Sequence, residues 1–342
     1  MPARIKILPK EKCAGGLNEY FSQADCHVHS FSECVFKYRN EPLWDEKKSD
    51  EDNRLNYIKK SLTDIYAEAQ KNNLKVVVVT EHPQFRKYNI PFERYVKVFN
   101  DVRAKFIDDF VMLPFGLEMQ LRRNEKGIYI DDEIALGKKT NIEMIGSADV
   151  LIFSIHAKHY VKSNEIKNSS DFLELLITGV NKAGELKGML LSDQFGDKVC
   201  ILGHPWDAAF ETNWRAWERD PELKKAYSDF SAYEKSKDVQ IKFFTAPQLV
   251  RLCEALTTQG MYPELNAASV LDKQIKKGGN VQKQGILPGY IAFCEGNNIS
   301  PVISVGSDGH VIKKVGELKP ELVLPLFSNI DKAIIWCEKI RF

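Results

Sequence analysis

The chain has 342 residues, of which 44% are hydrophobic and 28% charged, as in a soluble globular protein that can bury a sizeable core. The formal net charge is +1, with basic and acidic residues interleaved, so nucleic acid is not an expected partner. The seven cysteines form no C-x-x-C pair, which favours reduced thiols and a cytoplasmic location. We see no signal peptide and no apolar stretch near the ~20 residues that span a bilayer, so we expect no membrane association.

Short apolar runs rich in β-branched residues alternate with amphipathic segments along the chain. A first strand is predicted to end at His27 and His29. Six further strands are predicted at 75–82, 110–119, 149–156, 198–204, 261–267 and 300–308. Strands that alternate with helices imply a mostly parallel α/β sheet or barrel.

Helices are predicted between these strands from apolar residues spaced three and four apart. The first helical face is formed by Leu55, Ile58, Leu62, Ile65 and Ala69. A second helix is predicted after the capping residues Ser169 and Ser170, and a third begins with the capping-box pair Ser328 and Asp331.

Two segments lack the pattern of core strands. Residues 38–54 are strongly charged, whereas residues 206–240 are rich in aromatic and charged residues and are predicted to be helical. We interpret both segments as insertions in one barrel domain that spans residues 1–342.

All seven histidines lie at or just after predicted strand ends, and carboxylates accompany them. The histidines are His27, His29, His82, His156, His159, His204 and His310. The carboxylates are Asp25, Glu81, Glu118 and Asp308. Because the carboxyl ends of parallel barrel strands open on one face, these side chains are expected to converge there.

The residue types at this face indicate a metal site. Residues two apart on a strand point the same way, so His27 and His29 can hold one ion together, and Asp308 and His310 share that spacing. Imidazoles mixed with carboxylates suit zinc, manganese or iron, and no cysteine occupies one of the expected ligand positions.

Three acidic or histidine side chains are expected to support the ligands rather than to bind metal. Asp25 and Glu81 alternate away from the ligands along their strands and are expected to orient imidazoles by accepting hydrogen bonds. His159 has the same expected role, with a solvated loop histidine as the alternative. Cys26 is expected to point opposite to His27, as a small core residue.

A set of short motifs, in order over about residues 22–312, carries a resemblance to a known family. The motifs are "DCHVHS", "TEHP", "GLEM", "SIH", "GHP" and "SDGH". In these the sequence resembles the polymerase-and-histidinol-phosphatase (PHP) family. The resemblance implies a distorted (β/α)7 TIM-like barrel with a cluster of two to three divalent metal ions at the C-terminal face of the strands.

The resemblance also implies how ligands are shared among the ions. His27 and His29 would bind the first ion, with Glu118 and Asp308 completing it. The other histidines go to two further ions: His156 and His204 with Glu118 to the second, and His82 with His310 to the third. Catalytic roles are expected for Glu118, Asp308 and His310. A further His or Asp found after the first H-x-H in many relatives is absent here, and Glu33 is the acidic candidate for that place.

The activity implied by the resemblance is hydrolysis of a small phosphate monoester, histidinol-phosphate-like, by a water activated between metal ions. Cations after strand ends are candidates for binding the phosphate oxygens, and each is otherwise a solvated surface charge. They are Arg86, Lys87, Arg122, Arg123 and Lys158. Asn266 is a candidate polar contact to substrate, or otherwise part of a structural turn. The alternatives are a phosphodiesterase or nuclease on the same metals and a regulatory metal-binding module without turnover.

Overall fold

The computed structural model describes residues 24–30, 45–83, 90–106, 111–124, 127–130, 144–156, 166–190, 198–242, 244–266, 286–299, 303–308 and 315. Within these ranges the strands are β1 (Ala24–Val28), β2 (Val76–Glu81), β3 (Phe115–Asn124), β4 (Gly127–Ile130), β5 (Val150–Ser154), β6 (Val199–Gly203), β7 (Met261–Asn266) and β8 (Ser304–Gly306). The helices there are α1 (Asp50–Lys71), α2 (Phe92–Lys105), α3 (Ser169–Leu190), α4 (Asp207–Arg219), α5 (Pro221–Ala226), α6 (Phe230–Glu234), α7 (Ala246–Gln259) and α8 (Ile286–Gly296).

Seven of these strands form a nearly closed parallel barrel. They lie in the order β1-β2-β3-β5-β6-β7-β8, and each neighbouring pair is parallel. Strands β1 and β8 contact each other at the seam, where the backbone N–H of Ser307 donates to Asp25 Oδ1 at 2.9 Å. The short β4 pairs antiparallel with the end of β3. The predicted α/β TIM-like barrel is confirmed.

Alternation along the strands divides the apolar residues into two layers. An inner cluster fills the barrel and consists of Ala24, Cys26, Val76, Val78, Val150, Ile152, Val199 and Ile201. Residues at the intervening positions, among them Val77, Leu117 and Phe153, belong to the larger cluster that packs against the helices. A residue that continues the inner series past its strand therefore faces the mouth of the barrel.

A β-bulge interrupts the alternation in β1. Asp25 pairs with Val77 and Val28 pairs with Val79, so two residues, Cys26 and His27, oppose the single residue Val78. Cys26 belongs to the inner cluster, and Val28 to the outer one. The extra residue lets His27 face the interior as well, because a bulge shifts the side-chain parity of its strand. Cys26 is thus a core residue, as expected, but it lies on the same side as His27.

Helix α1 illustrates how sequence determines the outer layer. The Ser49 side chain accepts a hydrogen bond from the Asp52 N–H at 3.1 Å, and three acidic residues occupy the first turn, where the helix dipole favours them. Its predicted apolar face is buried in full: Leu55, Ile58, Leu62, Ile65 and Ala69. Helix α3, predicted after Ser169 and Ser170, likewise buries an apolar face: Phe172, Leu175, Leu176 and Val180. The helix predicted from Ser328 lies outside the described residues.

The segment between β6 and α7 contains three helices, α4 to α6, which agrees with the helical content predicted for 206–240. Trp206 is buried at its start and packs edge-on against Phe172 and Phe244. In the charged segment 38–54, the described part runs from residue 45 and includes the start of α1. The interpretation of both segments as insertions in a single domain stays a prediction.

The bulge and the site beside it depend on a glycine in β8. A Cβ added at Gly306 would lie 2.5 Å from His27 Cβ and would also meet the Glu264 carboxylate. We therefore expect Gly306→Ala to lower the free energy of unfolding by about 1–3 kcal/mol, the usual cost of overpacking. Urea denaturation measures this change. The control is Gly188→Ala in α3, where an added Cβ meets nothing within 4 Å and should be neutral or stabilising. Equal stability of the two variants would contradict the close packing.

Candidate metal centre

Glu118, His82, His156 and Asp308 reach the mouth of the barrel by continuing the inner series of their strands, whereas His27 does so through the bulge in β1 and His204 through its left-handed backbone. Glu118 belongs to β3, and His82 follows β2 by one residue. His156 and Asp308 each lie two residues past the ends of β5 and β8. His204 directly follows β6 with a φ of 28°, and Asp308 has a φ of 51°. These left-handed conformations are uncommon outside glycine, and they turn both residues out of extended geometry at the strand ends.

The carboxylate of Glu118 lies at the centre of the site and is almost fully buried. Three imidazole Nε2 atoms approach its Oε2: His29 at 3.3 Å, and His27 and His82 each at 3.4 Å. Two approach its Oε1: His204 at 3.0 Å and His156 at 3.3 Å. Ser154 Oγ donates to the same Oε1 at 2.6 Å. One carboxylate therefore contacts imidazoles from β1 and from the ends of β2, β5 and β6.

Three groups of side chains in the described part of the chain place their ligand atoms within 4.8 Å of one another. They are His27, His29 and Asp308; His29, His82 and Glu118; and Glu118, His156 and His204. Each group could hold one metal ion, and neighbouring groups share His29 or Glu118. The structure thus brings together seven of the residues predicted as ligands.

Buried nitrogen atoms at the site are consistent with metal ligation. His27 Nε2 and His204 Nδ1 are buried and accept or donate no hydrogen bond within the described residues. His27 Nε2 lies 3.4 Å from Glu118 Oε2 and 3.8 Å from Asp308 Oδ1, so an ion held by these carboxylates would also reach the imidazole. A buried polar atom without such a partner would be costly. The donor set therefore fits a transition metal such as zinc.

The pKa values of the carboxyl groups at the site are shifted by the positive charge of the neighbouring imidazoles. Burial opposes ionisation of Glu118, but the neighbouring imidazoles outweigh it and hold the pKa of the carboxyl well below its usual range. Asp308 likewise has a lowered pKa, because the hydrogen bond and charge of His29 and the charge of His27 outweigh its burial. Burial lowers the pKa of His29, but Asp308 and Glu118 raise it to about 9. Bound metal cations would compensate the negative charge of the same two carboxylates.

Sequence reasoning missed two residues that contact the ligands. Glu264 accepts a hydrogen bond from His27 Nδ1 at 2.8 Å and from the backbone N–H of His204 at 2.7 Å. Ser154 donates to Glu118. Glu264 precedes the predicted Asn266 by two residues on the same strand, so the i, i+2 rule could have identified it.

The supporting residues Asp25 and Glu81 lie beside the site and accept hydrogen bonds from backbone N–H groups, and Glu81 also accepts from hydroxyl groups. Asp25 accepts from the backbone N–H of His27 at 3.3 Å as well as from that of Ser307. Glu81 accepts from the backbone N–H of Ser30 at 3.1 Å and from the Tyr95 hydroxyl at 3.0 Å. Burial raises the pKa of Glu81 to about 7. Asn266 is buried, and its Nδ2 lies 3.5 Å from Glu264 Oε2.

Several predicted residues lie outside the part of the chain that the structure describes. They are Glu33, Arg86, Lys87, Lys158, His159 and His310, together with the side chains of Arg122 and Arg123. Their roles stay predictions. None of the helices among the described residues is long and apolar enough to cross a membrane.

Comparisons with known proteins give only a distant likeness. No protein-family model matches the chain, and no curated protein matches it. Among solved structures, it is similar to a zinc-bound amidohydrolase from Burkhoderia ambifaria at 10% identity and a TM-score of 0.39, over 93% of this chain and 84% of that one. It is also similar to zinc-complexed atrazine chlorohydrolase from Arthrobacter aurescens at 10% identity and a TM-score of 0.36, over 84% of this chain and 61% of that one. At these values the likeness carries no argument about the reaction.

These findings correct the family expected from the sequence. No PHP model matches, and the two solved structures are an amidohydrolase and a chlorohydrolase rather than PHP phosphatases. The PHP assignment is therefore wrong, and the phosphate-ester reactions inferred from it are not retained. The physical reason lies in the motifs: an H-x-H pair and single histidines at strand ends are what any metal site on a parallel barrel requires. Such motifs identify the kind of site but not the family.

We expect the purified protein to bind at least two transition-metal ions, and Glu118→Gln to bind fewer. The amide lacks the charge that is shared between two of the three groups. Elemental analysis after loading with zinc or manganese measures the stoichiometry. Glu234→Gln, which removes a buried carboxylate in α6, is the control and should bind as the parent protein does. Fewer than one equivalent in the parent protein would contradict the metal site.

We expect the ion nearest His82 to have the lowest occupancy. In the group of His29, His82 and Glu118, His29 and Glu118 also belong to other groups. Among the described residues, His82 is therefore the only ligand that this group does not share. Its side chain is also 26% exposed. Anomalous scattering from crystals at limiting metal concentration measures the occupancies. Equal occupancy at all positions, through a further protein ligand, would contradict the expectation; Glu33 and His310 are the candidates for such a ligand.

Proposed function

We propose that this protein is a metal-dependent hydrolase with its active site at the mouth of the barrel. The observation that supports this proposal is the convergence of five imidazoles on the Glu118 carboxylate, with Asp308 beside them. Zinc is the proposed metal, because nitrogen and carboxylate donors without thiolates suit it. When bound, ions in neighbouring groups supply Lewis acidity and lower the pKa of a water molecule toward neutrality.

The roles of individual residues follow from their positions. Glu118 presents Oε1 to His156 and His204 and Oε2 to His27, His29 and His82, so it can bridge two ions. Asp308 Oδ1 lies 3.3 Å from His29 Nε2, and its side chain is 14% exposed, whereas that of Glu118 is 1% exposed. Asp308 is therefore the described carboxylate best placed to accept a proton from water that enters from solvent.

The charge at the site favours an uncharged small molecule as substrate. Four carboxylates lie in or against the ligand groups: Asp25, Glu118, Glu264 and Asp308. With two divalent ions bound, the four carboxylates would balance the charge of the ions, so the centre would offer little net attraction for a dianionic group. An uncharged substrate needs no such attraction when water attacks an electrophilic carbon, such as a carbonyl carbon or the carbon of a carbon–nitrogen bond. We propose a substrate of this class.

We expect hydrolytic activity to depend on metal and on Asp308. A panel of amides, cyclic amides, amino-substituted heterocycles and carboxylic esters is assayed with the zinc-loaded enzyme, the chelated enzyme and the reloaded enzyme. Chelation should abolish turnover, and reloading should restore it. Asp308→Asn should lower kcat by at least 100-fold, because removal of a general base typically costs a factor of about 100 to 10,000.

Two controls make this test decisive. Glu234→Gln should retain the parent activity, because Glu234 lies in α6 and not in a ligand group. Metal content is measured for each variant, so that loss of the ion is separated from loss of the base. A protein that binds its metals but hydrolyses no member of the panel would contradict the proposed substrate class. Turnover that survives complete removal of metal would contradict metal dependence itself.

A further inference from the structure

Glu264, at the end of β7, contacts ligands from two different metal groups. Its Oε1 accepts from His27 Nδ1 at 2.8 Å, and His27 belongs to the group with His29 and Asp308. Its Oε2 accepts from the backbone N–H of His204 at 2.7 Å, and His204 belongs to the group with Glu118. Glu264 itself belongs to neither group and is buried.

The hydrogen bond from His27 to Glu264 determines which ring nitrogen of His27 carries the proton. With Nδ1 donating to Glu264, the proton resides on Nδ1, and Nε2 keeps the lone pair that a metal requires. Nε2 then faces Glu118 and Asp308. A carboxylate that accepts from the second nitrogen of a ligating histidine commonly fixes the ring and strengthens it as a ligand.

The bond to His204 holds a strained piece of backbone. His204 has a φ of 28°, which is unfavourable for a residue with a side chain. Its N–H is buried and would lack this acceptor without Glu264. Gly306 leaves room for the carboxylate, since a Cβ added there would clash with Glu264 Oε1.

We propose that Glu264 is a positioning residue that couples the two metal groups by holding a ligand of each with one carboxylate. The proposal rests on the metal-dependent function proposed above. In this role Glu264 affects metal binding although it belongs to none of the ligand groups itself. Loss of this carboxylate should weaken binding at both groups together.

Glutamine at this position tests the idea at nearly constant volume. The amide has one acceptor oxygen, so it can satisfy His27 or His204 but not both. If its NH₂ group faces His27, that ring must accept at Nδ1 and carry its proton on Nε2, which removes the metal-binding lone pair. We therefore expect Glu264→Gln to lower zinc affinity about 10- to 100-fold, the usual effect of losing such a partner.

The experiment titrates the full-length, metal-free protein with zinc against a chromophoric chelator. It compares the parent protein, Glu264→Gln, Glu118→Gln and the buried-carboxylate control Glu234→Gln. Two-dimensional ¹H–¹⁵N spectra of the zinc-loaded histidine rings report the tautomer of His27, which a purely structural role of Glu264 would not change. Urea denaturation of the metal-free proteins measures folding separately. If Glu264→Gln does not fold, Glu264→Asp, which keeps the charge but shortens the reach, takes its place.

Weaker binding of both zinc equivalents, with an altered His27 signal and unchanged Glu234→Gln, would support the proposal. Parent-like affinity in Glu264→Gln would overturn it, as would a loss of metal-free stability without any change in affinity. If Glu118→Gln loses zinc while Glu264→Gln does not, the metal site stands and only the role of Glu264 falls. A parent protein that binds no zinc would instead overturn the proposed function.

Discussion

The buried carboxylate of Glu118 is the interaction around which the site is organised. Removing a carboxylate from water costs several kcal/mol unless charge partners and hydrogen bonds compensate. Glu118 obtains that compensation from five imidazoles and from the Ser154 hydroxyl. These partners come from strands distant in sequence, so the arrangement exists only when the barrel is nearly closed. The charge of one side chain thereby links the chemistry of the site to the fold of the whole domain.

The shared ligands make the site a single electrostatic unit. His29 and Glu118 each belong to two groups, and Glu264 contacts one member of two groups without joining either. An ion at one position therefore changes the charge and the orientation of ligands at the next. The surrounding apolar layers hold this network rigid, because inner and outer strand residues are almost fully buried. Rigid supports of this kind keep ligand geometry within the narrow limits that metal sites need.

Much of the barrel and the general nature of the site could be predicted from the sequence. The apolar run before His82 predicted β2, and the spacing of Leu55 and Ile58 predicted the buried face of α1. The histidines at strand ends indicated a metal site. These features follow from local periodicity and from the common direction of parallel strands. The position of Glu264 on the inner face could have been inferred from Asn266, but its role could not, because the two residues that it contacts are distant in sequence. The family was misjudged because short ligand motifs reflect barrel geometry, which unrelated enzymes share.

The β-bulge at Cys26 and His27 makes the site depend on the pairing register of β1 as well as on its composition. If the same residues paired without the bulge, strict alternation would send His27 and His29 toward the helices, while Cys26 stayed in the inner cluster. That register would place two imidazoles in an apolar layer and would leave Glu118 and Asp308 with fewer imidazole partners. The orientation of two ligands thus depends on the pairing register of β1 with β2 and not on their residue types alone.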